Sequence, residues 1–407
     1  MDGNNNQFTQ GGQQVPPQGY GPYVQQAPPQ GYGPYVQQAS PQGYGPYVQQ
    51  PVPPQGYDPY AQQPVYAPYN VMPPPFDKKS AKKHFSGVGM SYFLFSVVAA
   101  AVQMIASVAV DIINPDLWDN YLFMLLASIL PMYLVGAPVC IGMMKRLPSE
   151  KPEKNPWGPG RFIVGLIIAV GLMYTGSFIG TYIGLLIEAV NPEATASTNN
   201  VQELVFSGDM FINIIIMVIV GPIVEELLFR KVLCDRLRIY GEGVTVVVTG
   251  LMFGIFHGNL TQSVYAFLLG CFLAYVYLKT GRVAVTIAYH ITLNFIGSVV
   301  PLLALRSTDI DGLEEIISTG DTELITEFVS NNTGSFLVYG LYSMAVLGCM
   351  FVGIILIIIM AATGRIKFAP GRFRIPSGMR FSVVIINVGM ILFILSGIAE
   401  ILLNMFL

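Results

Sequence analysis

A chain of 407 residues that is 53% hydrophobic and only 11% charged cannot dress the surface of a water-soluble globule, which needs roughly a quarter charged residues. A mean hydropathy of +0.54 excludes a soluble enzyme; the net charge of −3 decides nothing by itself, and no nucleic-acid partner is expected. The four cysteines (Cys140, Cys234, Cys271, Cys349) lie in or beside apolar runs without the spacing of a disulfide framework or a zinc ribbon.

The first 76 residues hold 17 of the 29 prolines and almost no Leu or Ile. A unit QGYGPYVQQ begins at Gln18, Gln30 and Gln42 and decays to QGYDPYAQQ at Gln55. This period is too short and too proline-rich for a folded solenoid, and it presents no periodic apolar face. Residues 1–76 are therefore expected to be a disordered tail, with no signal peptide. Its ten regularly spaced tyrosines are the one hint of a cytoplasmic partner. The stretch DKKSAKKH, Asp77 to His84, then sets four lysines before the first long apolar run, a pattern suited to an anionic cytoplasmic leaflet. Nine apolar segments follow, at 88–110, 121–144, 162–188, 211–234, 243–258, 262–279, 283–305, 336–363 and 381–405. Most have the length of about 20 residues that a bilayer demands. The fifth and sixth are short and read as a tight hairpin turning at HGNLTQ.

Charge placement supports this segmentation. The tail and the second, fourth, sixth and eighth connections hold 20 of the 21 Lys and Arg, leaving only Arg306 to the alternate connections. Those alternate connections are acidic, most of all between Asp309 and Glu327. By the positive-inside rule the amino terminus is cytoplasmic. The expected fold is an all-α polytopic bundle of about eight to nine transmembrane helices behind a disordered tail. It divides into the tail (1–76), a basic segment with two helices (77–160), a membrane core (161–305), and an acidic loop with two last helices (306–407).

Ionisable groups inside membrane spans are costly and usually functional. The fourth segment carries Glu225, Glu226 and Arg230 in IVEELLFRK, the fifth Phe253 and His257 in LMFGIFHG, and the seventh His290 and Asn294 in AYHITLNF. At 100° per residue Arg230 lies about 40° around the helix from Glu226 but about 140° from Glu225. Glu226 and Arg230 can pair, which leaves Glu225 free to act as a general base. His290 and Asn294 share a face and offer groups that could hold an oxyanion, and Phe253 sits one turn from His257 to orient its ring. Such groups can also simply bind helices together or line an ion path. No HExxH, no GxSxG and no paired membrane aspartates are present. Counting 1.5 Å per residue from the inner helix ends puts Glu225 and His257 about 20 Å deep but His290 only about 10 Å deep.

The motifs EExxxR (Glu225, Glu226, Arg230), FxxxH (Phe253, His257) and HxxxN (His290, Asn294), in this order on membrane segments, resemble the CPBP family of intramembrane glutamic endopeptidases. That family includes type II CAAX prenyl proteases, bacteriocin-processing and immunity proteins, and lysostaphin-resistance-like proteins. The resemblance covers roughly residues 160–305. It implies an all-α bundle with a conical cavity open to cytosol and lipid. It also implies that Glu225 activates a water with help from His257, that His290 and Asn294 stabilise the oxyanion, and that Glu226, Arg230 and Phe253 support them. The implied reaction needs no cofactor, and the implied substrate is a membrane protein or lipidated peptide at the bilayer. Two other readings stay open: a zinc protease with His257, His290 and Glu225 as ligands, and a non-catalytic immunity, binding or transport protein on the same fold.

Overall fold

The computed structural model describes residues 76–195, 209–305, 308 and 310–406. The repeat tail through Pro75 and the connection around Glu203 lie outside the described residues. Every regular element among those described is a helix. We number them α1 (Lys78–Ile113), α2 (Tyr121–Met144), α3 (Pro159–Val190), α4 (Met210–Tyr240), α5 (Glu242–Phe256), α6 (Leu260–Thr280) and α7 (Val283–Leu305). After these come α8 (Ile310–Thr319) and α9 (Thr322–Asn331), then α10 (Thr333–Ala362) and α11 (Val388–Phe406). Eight of them are long and apolar enough to cross a bilayer, and the chain is a multi-pass membrane protein. Three of the numbered helices fall short: α5, with 15 residues, and α8 and α9, with 10 each.

Several boundaries differ from the sequence expectation for identifiable reasons. α1 begins ten residues before its apolar run, because the Asp77 side chain accepts hydrogen bonds from Lys79 N and Ser80 N at 3.0 and 3.2 Å. The lysines therefore occupy helical turns rather than a loop. The expected hairpin forms, with Asn259 Oδ1 capping α6 through Gln262 N at 3.0 Å, but α6 reaches 21 residues and is not short. The acidic connection expected to be a loop contains α8 and α9, the latter capped by Asp321. The segment expected at 381–405 is broken. Asn387 donates through Nδ2 to the carbonyls of Val383 and Val384 and accepts from Met390 N, so it ends one helix (Arg380–Val384) and starts α11.

α5 and α6 lie antiparallel, α6 packs on α3, α3 on α10, and α1 on α11. Gly389 at the head of α11 donates its N–H to Ser86 Oγ at 3.0 Å, and a side chain there would overlap the Ser86 carbonyl of α1. Gly389→Ala is expected to destabilise the chain by about 1–3 kcal/mol, read as a lower thermal midpoint in detergent micelles. An unchanged midpoint would refute the close approach.

α4 runs through the centre of the fold and is not uniformly α-helical. Residues Ile214–Val220 and Leu227–Cys234 are π-helical, and the glutamate pair lies between them. Such wide turns leave backbone carbonyls for outside donors. Tyr92 of α1 donates to Leu228 O at 3.0 Å, and Asn294 Nδ2 of α7 donates to Met217 O at 3.1 Å. An aromatic core carries this anchoring toward α5: Tyr92 packs 5.2 Å from Phe229, and Phe229 packs edge-on 4.9 Å from Phe253. Tyr92→Phe is expected to lower stability by about 1 kcal/mol, measured as the same thermal midpoint. A wild-type midpoint would mean that the carbonyl has another donor.

One set of helix ends is tied by polar and charged contacts. Tyr277 Oη donates to buried Asp235 at 2.7 Å, Arg236 Nε to Met144 O at 2.7 Å, Arg238 pairs with Glu150 at 2.6 Å, and Lys279 pairs with Glu242. Arg230, counted in the sequence among the cationic connection residues, is instead wholly buried within α4.

Candidate active site

The two adjacent glutamates of α4 have different environments. Glu226 is completely buried and receives Arg230 in a fork, Nε to Oε2 at 2.9 Å and Nη2 to Oε1 at 3.1 Å. The Arg230 guanidinium also lies over the Phe253 ring, 5.0 Å from its centroid. This pair spans one helical turn, as the spacing requires. Glu226 also accepts from His290 Nδ1 at 3.1 Å, and the Thr286 hydroxyl, one turn before His290, is a further partner. An ion pair so enclosed is costly unless further hydrogen bonds satisfy its remaining positions; His290 supplies one to Glu226, while Arg230 Nη1 is buried without a partner among the described residues.

Glu225 has no cation beside it of that kind. Its side chain is 22% exposed, and Oε2 stands 3.8 Å from His290 Nε2. His257, at the end of α5, is within electrostatic reach of both Glu225 and His290. Its Nδ1 lies 2.7 Å from Phe253 O. A carbonyl only accepts, so Nδ1 carries the proton and the neutral ring presents Nε2 as a lone pair. Phe253 stands edge-on to both imidazoles, 4.7 Å from His257 and 5.8 Å from His290. Asn294 joins the assembly one turn beyond His290, with an amide N–H held by Met217 O.

The structure thus brings together Glu225, His257 and His290, with Glu226, Arg230 and Phe253 directly behind them and Asn294 at one side. The depth mismatch expected for His290 is absent. The Tyr277–Asp235 hydrogen bond sets residue 235 of α4, not 238, level with the last turn of α6. From there to Glu226 is about 14 Å and from Val283 to His290 about 10 Å, a difference that side-chain reach covers.

His290 has one constraint the sequence does not reveal. With Nδ1–H donated to Glu226, its Nε2 is a lone pair in the neutral ring and a donor only in the imidazolium. Thr286 and Glu400 escaped the sequence reading. Thr286 was legible as a polar residue on the His290 face. Glu400 was legible as an acid in the last apolar run, and its carboxyl packs on Gly258, next to His257. Among the described residues no three His, Cys, Asp or Glu side chains are arranged to hold a metal ion.

Residues 207–296 match the family described as type II CAAX prenyl endopeptidase Rce1-like, a stretch that takes in all seven motif residues. Over 98 residues the chain is 31% identical to the Bacillus subtilis (strain 168) protein named "Putative membrane peptidase YdiL". That similarity covers 23% of this chain, and the chain spans 39% of the relative's length. No solved structure matches significantly.

Proposed function

Through residues 207–296 the chain belongs to the CPBP family, and on that premise we propose that it is an intramembrane endopeptidase that hydrolyses a peptide bond of a membrane-associated substrate by water activation. The observation that carries this reading is the division between the two glutamates. Glu226 is held by Arg230 and His290, while Glu225 is partly exposed beside an imidazole. A carboxylate of the second kind is available to take a proton, and one of the first kind is not.

In this mechanism Glu225 and the Nε2 lone pair of His257 hold a water, and Glu225 accepts its proton as the oxygen bonds to the scissile carbonyl carbon. Asn294 and His290, whose Nδ1 is held by Glu226, face the developing oxyanion. Proton return from Glu225 to the amine completes cleavage. The family description points to a lipidated CAAX-type peptide as the substrate class. The lysines that open α1 suit a cytoplasmic amino terminus.

The test reconstitutes the full chain in liposomes with an extract of total membrane proteins and maps new peptide amino termini by mass spectrometry. Fragments are expected with the wild type, with and without 1,10-phenanthroline. Loss of the fragments in the chelator would contradict the metal-free mechanism and transfer Glu225, His257 and His290 to a zinc site. Absence of fragments in every condition would favour a non-catalytic member of the fold.

A further inference from the structure

The proposed mechanism leaves the oxyanion short of donors. One amide N–H of Asn294 is held by Met217 O, and His290 Nε2 is a donor only when the ring is doubly protonated. A further hydroxyl stands on the same face of α4. Met217, Gly221 and Glu225 succeed one another at helical spacing, so Gly221 lies between the backbone that Asn294 holds and the free carboxylate. A Cβ on Gly221 would stand 3.3 Å from Tyr133 Oη. The phenol therefore occupies the strip of α4 that a side chain at residue 221 would cover, about one helical turn from Glu225.

Tyr133 comes from α2, whose winding is π-helical from Pro131 to Gly136. Wide turns of this kind recur at functional sites and re-aim the side chains they carry. Tyr133 is half-buried, and the charge of Glu225 acts on it. Its hydroxyl forms no hydrogen bond to another side chain among the described residues. Tyr133 lies outside the family match, so nothing in the motif set nominates it.

We propose that Tyr133 is a catalytic residue supplied by α2, its hydroxyl donating a hydrogen bond to the scissile carbonyl oxygen as that oxygen becomes an oxyanion. The assignment rests on the endopeptidase reading and deepens it. Water's oxygen bonds to the carbonyl carbon, its proton moves to Glu225, and the carbonyl π pair settles on oxygen facing Tyr133. When the adduct collapses, the C–N bond breaks and the proton on Glu225 goes to the amine. Tyr133 keeps its proton throughout and needs no change of charge to donate, unlike His290. Gly221 has no side chain, which lets the Tyr133 hydroxyl lie against the helix.

The test uses the full chain in proteoliposomes containing extracted membrane proteins, with the rate of appearance of new amino termini as readout. Termini that Glu225→Gln abolishes are expected to form about 10²–10³-fold more slowly with Tyr133→Phe, the usual loss for one oxyanion donor. The thermal midpoint should not move, because no internal hydrogen bond is lost. Gly221→Ala, which presses on the hydroxyl, should also be slow, and the double variant no slower than Tyr133→Phe alone. Glu225-dependent termini appearing at the wild-type rate with Tyr133→Phe would overturn this assignment while leaving the endopeptidase reading intact. Additive losses in the double variant would overturn it too, because the two changes would then act separately. Termini that persist in Glu225→Gln would instead overturn the parent reading, and this assignment with it.

Discussion

Glu225→Gln is expected to reduce proteolysis by about 10³-fold or more while leaving the fold as stable as the wild type. General-base catalysis contributes about 10²–10⁴-fold, and an amide of the same size cannot accept the proton of the attacking water. Stability is spared because the Glu225 carboxylate is partly exposed and its ion-pairing distance to the His290 imidazole is a long 3.8 Å. The measurement pairs fragment-formation rates in proteoliposomes with thermal unfolding in detergent. Retained activity would remove Glu225 from the chemistry. Lost activity with an early thermal transition would assign it a structural role instead.

The second large effect falls on the buried pair. Arg230→Ala strips Glu226 of its counter-charge where neither residue has any exposed surface, and breaking such a pair costs about 3–5 kcal/mol. That is a large share of the stability of an ordinary domain, so the single variant is expected to be lost from the membrane fraction or to unfold well below the wild type. Replacing both partners, as Glu226→Leu with Arg230→Met, removes the charges together and should restore most of the stability. Activity should not return, because His290 then loses the acceptor that fixes its Nδ1 proton at 3.1 Å. Recovery of stability and activity together would mean that Glu226 is only half of an ion pair. Recovery of neither would mean that the polar network itself determines the packing of α4 against α7.

What the sequence made legible was local. The pairs Glu226–Arg230, Phe253–His257 and His290–Asn294 each lie four residues apart, and helical geometry alone puts each pair on one face. The contrast between Glu225 and Glu226 follows from the same arithmetic. Contacts between distant segments were not legible, notably His290 on Glu226 and Tyr92 on Leu228 O. The π-helical turns of α2 and α4 leave no period in the residue pattern, so the carbonyls they free, and the side chains they re-aim, could not be foreseen. Asn387 was hidden by the apolar residues around it, although its two-way capping divides the last segment. In the acidic connection the opposite happened. Its many charges mask Leu324 and Phe328, whose helical spacing belongs to α9. Charged residues do not mark the helix ends that set the depth of His290; Asp235 and Tyr277 set that level.

The central claim is that water reaches the free carboxylate of α4 inside the membrane core. It is tested most directly by placing a thiol there, in a full chain whose four cysteines have been replaced by alanine. Glu225→Cys in proteoliposomes should react with a permanently charged, water-soluble methanethiosulfonate reagent. Leu227→Cys, at a position 41% exposed on another face of the same helix, should be shielded by lipid and stay unmodified. An inert cysteine at 225 beside a reactive one at 227 would contradict the account.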